Sequence, residues 1–98
     1  MFAPISASRF LERFLKDNPS EKRKVTEDRL QDALKYALAG GRCTMCKTNP
    51  VWVVGAAAGA GYLCFTCTTG DAVPDDDFEI DEHLRYLYKN RSHFPLKR

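Results

Sequence analysis

Cys43-Thr44-Met45-Cys46 and Cys64-Phe65-Thr66-Cys67, two CxxC pairs with seventeen residues between them, decide how this 98-residue chain is organised. In a CxxC turn both thiolates point toward one ion. Two such turns complete the tetrahedral sulfur shell that zinc accepts without d-electron preference. The spacing therefore predicts a structural Zn2+ held by Cys43, Cys46, Cys64 and Cys67. With all four positions taken by sulfur, none stays open for a water nucleophile. Disulfides fit poorly with the paired spacing and a cytoplasmic address, and thioredoxin-like chemistry needs one CxxC opening a helix in a βαβ setting. Iron or an iron–sulfur cluster is the nearest rival, because it also takes four cysteines. Arg42 and Lys47 stand directly beside the first pair, where they can offset the negative charge of the thiolates or donate to sulfur.

Between the pairs, Val51-Trp52-Val53-Val54 and Tyr62-Leu63-Cys64-Phe65 are β-branched and aromatic, and they flank the small-residue run Gly55 to Gly61. This pattern predicts a β-hairpin that delivers the second pair to the first. The tip lacks the Gly-Lys-Ser/Thr ending of a phosphate-binding loop, and its glycines do not follow GxGxxG. Upstream, Ala7, Phe10, Leu11, Phe14 and Leu15 form the stripe of an amphipathic helix, with Ser6 as its cap and Asn18-Pro19 as its stop. Leu30, Ala33, Leu34, Ala37 and Leu38 repeat that spacing, with Ser20 or Thr26 as N-cap and Gly40-Gly41 at the end. Downstream, Asp75-Asp76-Asp77 lacks the alternate spacing of a calcium loop, and a last helix is expected from an Asp81 cap, with Leu84, Leu87 and Tyr88 on one face. The expected architecture is a small α+β single domain over 1–98. It comprises an N-terminal helical hairpin (1–42), a four-cysteine zinc-bound β-hairpin module (43–70), and an acidic loop with a C-terminal helix (71–98).

The cysteine spacing, with Pro50-Val51-Trp52 in the first strand and Tyr62-Leu63 directly before Cys64, resembles the GATA-type zinc finger, a treble-clef module. The likeness covers residues 43–67. It implies that the four cysteines are the ligands, that Trp52 packs beside the site, and that a short helix starts at the second pair. A four-cysteine zinc ribbon would use the same ligands. GATA-type fingers read DNA with an Arg after the Trp and a basic tail. Here Val53 and Val54 follow Trp52, and Gly70-Asp71 leads into Asp75-Asp76-Asp77. The ligands carry over from the resemblance; the DNA-reading residues do not.

Composition narrows the function classes. With 44% hydrophobic and 29% charged residues the chain lies outside the regime of disorder, and a net charge of +2 does not by itself imply nucleic acid. The charge is partitioned, however: ten basic and six acidic groups lie in 1–47, seven acidic and no basic in 48–82, and five basic and no acidic in 83–98. The N-terminus lacks a signal sequence and Phe2 excludes myristoylation; the uncharged run Val51 to Phe65 is shorter than the ~20 residues of a membrane span. A cytoplasmic protein without a membrane partner is expected. His83 is expected as an exposed residue at a helix start, and His93 lies in the exit sequence; neither has a nucleophile or oxyanion donor fixed near it. No catalytic residue and no small-molecule substrate emerges. The expected function is zinc-stabilised binding, as an adaptor or regulator acting on a larger protein or nucleoprotein complex. The alternative is a nucleic-acid binder using Arg85, Lys89, Arg91, Lys97 and Arg98 with Arg42 and Lys47.

Overall fold

The computed structural model describes residues 2–75 and 77–90. Two helices open the fold as their stripes require. α1 (Ala7–Asp17) starts where Ser6 Oγ accepts from the Arg9 N–H at 3.2 Å, and it ends where Asn18 donates from both its backbone and its side chain to the Phe14 carbonyl. α2 (Arg23–Leu38) buries Leu30, Ala33, Leu34 and Ala37, and Gly40 beyond its end takes φ 89°. The expected caps of α2 are corrected. Lys22 occupies the N-cap without a side-chain hydrogen bond, and Thr26 lies inside the helix, fully buried.

The β-hairpin expected from Val51 to Phe65 is absent. Val53–Gly55 is a helical turn (α3) that continues into a five-residue π turn over Ala56–Ala60. Two forces override the strand propensity of Val-Trp-Val-Val. The alanines that follow favour helix, and the Glu79 carboxylate caps the new N-terminus, accepting from the Val53 N–H at 2.8 Å and the Val54 N–H at 3.0 Å. The small-residue run is thus a helical segment with Ala56 and Ala57 in the core, and Gly59 at φ 104° breaks it. Gly55 also lies so close to the Trp52 ring that an added Cβ would meet ring carbon at 2.5 Å.

α4 (Phe65–Thr69) follows, and the chain then closes a two-stranded sheet. β1 (Ala3–Ile5) lies parallel to β2 (Phe78–Ile80), with Ala3 opposite Phe78 and Ile5 opposite Ile80. Neither strand is legible in the sequence; three residues are too few to show a period. α5 (Asp81–Lys89) begins directly after β2, with Ile80 rather than Asp81 as its N-cap. Its buried residue is His83, and Tyr88, expected on the inner face, is 70% exposed. One apolar cluster joins Ile5, Phe10, Leu11, Leu30, Leu34 and Val53, among others, across β1, α1, α2 and α3, and includes Ile80 of β2. Leu30 is fully buried at its centre. Leu30→Ala is therefore expected to cost about 2–5 kcal/mol, measured by urea unfolding of the metal-loaded protein, whereas Val25→Ala, half-exposed on the same helix, should cost under about 1 kcal/mol.

Candidate metal centre

The first cysteine pair sits on a tight knuckle. Arg42 and Pro50 form an isolated antiparallel bridge, Cys43 N–H donates to the Asn49 carbonyl at 2.8 Å, and Lys47 N–H donates to the Cys43 carbonyl at 2.9 Å. Lys47 closes the turn in the left-handed region, at φ 65°. Inside it, the backbone N–H groups of Met45 and Cys46 both donate to Cys43 Sγ at 3.4 Å. The second pair uses the start of α4: Cys64 is the N-cap residue, its Sγ accepts from the Cys67 N–H at 3.4 Å, and Thr68 donates to its carbonyl from both backbone and hydroxyl. The two halves are joined by main chain, with Thr44 N–H donating to the Tyr62 carbonyl and Trp52 N–H to the Leu63 carbonyl, each at 2.9 Å. Tyr36 ties the assembly to α2 by stacking on Tyr62 at 4.6 Å and donating its hydroxyl to the Arg42 carbonyl.

This scaffold brings all four sulfurs together, within 4.8 Å of one another. A regular tetrahedron with metal–sulfur bonds of about 2.3 Å has edges of about 3.8 Å. Cys46 Sγ and Cys64 Sγ stand 3.8 Å apart. The donor set and its spacing fit a four-coordinate metal ion such as zinc. Cys43 and Cys64 are buried while Cys46 and Cys67 are partly exposed, so the cage opens toward solvent on one side. All four cysteines are free thiols rather than disulfides.

Four thiols this close share their ionisation. Burial pushes the Cys43 thiol up, but hydrogen bonds from the Cys46, Cys64 and Met45 backbone outweigh it and bring it down to about 6. The Asn49 and Thr48 backbone lowers Cys46 as well. Cys67 is pushed up to about 12, first by its interaction with the Cys64 sulfur and then by burial. The cage without a cation thus prefers a partly protonated state, and a dication must displace the Cys67 proton near neutral pH. Metal affinity is expected to fall from pH 7 to pH 5 as Cys43 passes its lowered midpoint and takes up a proton. Competition against a chromophoric chelator at three pH values checks this; a flat profile would contradict it.

The flanking basic residues have different roles. Arg42 is half-buried and braces the knuckle by donating from Nη1 to the Thr48 carbonyl at 2.8 Å, whereas Lys47 is exposed. Arg85 lies on the solvent side of α5, 4.0 Å from the Asp81 carboxylate, and Lys89 ends that helix, exposed. Arg91, Lys97, Arg98 and His93 lie outside the described residues. The start of α4 at the second pair agrees with the expectation from the resemblance. Trp52 meets Phe65, the neighbour of Cys64, edge-on at 5.0 Å, and Phe2 completes the cluster, stacked on Trp52 at 6.1 Å and edge-on to Phe65 at 5.4 Å.

A second polar centre escapes the sequence reading. Glu79, 1% exposed, accepts from the N–H groups of Val53, Val54 and Ile80, and its Oε2 lies 2.8 Å from His83 Nδ1. His83 is 1% exposed rather than solvent-facing, and its Nε2 has no hydrogen-bond partner among the described residues. The only trace in sequence is the i, i+4 spacing of Glu79 and His83 across Ile80, which also describes countless surface pairs. No helix among the described residues is long and apolar enough to cross a membrane.

The site is thus a four-cysteine cluster, on a knuckle and a helix start, that could hold a metal ion. Comparison of the chain with protein-family models, with curated proteins and with solved structures finds no match.

Proposed function

We propose that the chain is a small zinc-stabilised binding protein, an adaptor or regulator that acts by protein–protein interaction on a larger protein or nucleoprotein complex. The supporting observation is the sulfur cage, with four thiols within 4.8 Å of one another and, among the described residues, no carboxylate or imidazole joining the cluster. A full sulfur shell gives zinc a structural role and leaves no coordination position for substrate. A knuckle bearing one pair and a short helix opened by the other make a treble-clef-like arrangement, which is the finer form of this reading. A closed shell gives the metal itself no open position for turnover, in keeping with a binding role. The partner is assigned as protein because the exposed groups include basic residues of α1, α2 and α5 and also the acidic Asp71 and Asp75, a charge of both signs that suits polypeptide better than phosphate.

Two measurements test the proposal. Elemental analysis of freshly purified protein is expected to give one zinc per chain, and iron or no metal in its place would refute the cofactor. Titration with duplex DNA and with RNA at two salt concentrations is expected to show no salt-sensitive binding. Binding that weakens with salt and is lost on neutralising Arg85 and Lys89 would replace the adaptor with the nucleic-acid binder.

A further inference from the structure

Opposite chemistry lies side by side along α1. A hollow of about 300 Å³ has a floor of Ile5, Phe10, Phe14, Trp52 and Val54, with Asp17 and Asp77 on its rim. A second hollow, of about 390 Å³, opens beside it toward Ser6 and Arg9 and shares Ile5, Arg13 and Phe78 as a common wall. Arg13 spans this wall with its guanidinium 5.0 Å above the Phe78 ring. Among the described residues no carboxylate pairs with Arg9 or Arg13, although other cations of α2 and α5 are paired. Arg9, Arg13 and Asp17 recur every four residues, so the edge of α1 that lines the hollows carries two positive charges and then a negative one along about 12 Å, while the exposed Glu12 and Lys16 of the same helix line neither hollow. The apolar Phe10 and Phe14 repeat on the same spacing beside them.

We infer that this double groove binds a short peptide segment with one large apolar side chain between an acidic and a basic residue. The inference rests on the protein-binding reading above. The apolar anchor fills the first hollow, whose volume takes one aromatic or leucine-sized group with its flanking backbone. The acidic residue lies against Arg9 and Arg13, and the basic one lies against Asp17 and Asp77. About 12 Å is the span of roughly four extended residues, which matches that order of charges. The edge of the small sheet does not recruit the peptide: Pro4 offers no N–H there, and the Phe78 carbonyl is already taken by the Trp52 indole N–H at 2.8 Å. Specificity comes from charge order across an apolar anchor rather than from main-chain pairing.

The test uses the intact zinc-loaded chain and three synthetic peptides: glutamates, one tryptophan and lysines in that order; the same residues scrambled; and the anchor replaced by glycine. Trp52 is the only tryptophan of the chain, so its indole N–H resonance reports on the groove. The first peptide is expected to shift that resonance at micromolar concentrations, and the other two to bind at least tenfold more weakly. Arg9→Glu combined with Arg13→Glu should lower affinity for the first peptide tenfold or more while leaving zinc content and the circular-dichroism spectrum unchanged. Adding Asp17→Lys to that pair should restore binding to a peptide of reversed polarity. Equal binding of ordered and scrambled peptides, no shift at millimolar concentration, or a shift that appears with protein concentration alone would each overturn the groove assignment. The last outcome would mean that a second copy of the chain covers the face. A zinc-bound protein that ignores all three peptides yet shows no affinity for nucleic acid loses the groove and keeps the adaptor role; salt-sensitive nucleic-acid binding removes the adaptor role itself.

Discussion

Cys64→Ser is expected to lose stoichiometric zinc and, with it, cooperative folding. Cys64 caps α4, its sulfur lies 3.8 Å from Cys46 Sγ, and it is 2% exposed, so the serine hydroxyl would replace a buried sulfur at the centre of the cage. A closed shell of this kind supplies on the order of 10–16 kcal/mol of apparent binding free energy, against about 5–15 kcal/mol for the whole stability of a small fold. The damage should not stay local. Val51, Val53, Ala56 and Ala57, from the segment between the cysteine pairs, belong to the same apolar cluster as Leu30 and Phe10 of the helices. Zinc content by elemental analysis and the near-ultraviolet signal of Trp52 should therefore fall together, and a strong chelator should reproduce both effects on the unsubstituted chain. A folded, chelator-resistant Cys64→Ser protein with altered thiol reactivity would point to redox chemistry at these cysteines and against a structural ion.

The second large effect is expected at Glu79, far from any cysteine in sequence. Its carboxylate is the common acceptor for three backbone N–H groups and for His83, and it joins α3, β2 and α5. Glu79→Gln keeps the volume but turns an NH2 group toward donors that have nowhere else to bond, leaving buried polar groups unsatisfied. About 1–3 kcal/mol should be lost for each buried donor left without an acceptor. Urea unfolding with saturating zinc isolates this term, and Glu82→Gln, an exposed neighbour on α5, is the control. Matching midpoints for the two variants would show that Glu79 does not hold the segment together.

The parts of this fold that are legible in sequence are those specified locally. Ser6, Asn18 and the stripes of α1 and α2 declare themselves through spacing and capping, and the CxxC pairs declare a sulfur cage because the turn itself aims both thiols. The segment between the pairs reads wrongly as strand because its decisive partner lies elsewhere. Val53 and Val54 are helical with the Glu79 carboxylate bound to their amides, a contact spanning some 25 positions that no window around Val-Trp-Val-Val contains. His83 is misplaced by its neighbours for the same reason. A histidine next to Glu82 and just after an expected Asp81 cap reads as solvent-facing until Glu79 is known to be inside. The groove needs three-dimensional assembly, since β1, α1, the Trp52 segment and Phe78 meet only in the folded chain.

The parallel pairing of Ala3 with Phe78 has a bearing on biogenesis. The partners are 75 positions apart in sequence, so the two strands can meet only after every helix between them has been made. Such distant closure is slow because its entropy is spent before its contacts are gained. A nascent chain can load its ion once Cys64 and Cys67 emerge, but β1 must wait for β2 to leave the exit tunnel. Maturation should therefore proceed in two stages, ion capture first and β1–β2 pairing second.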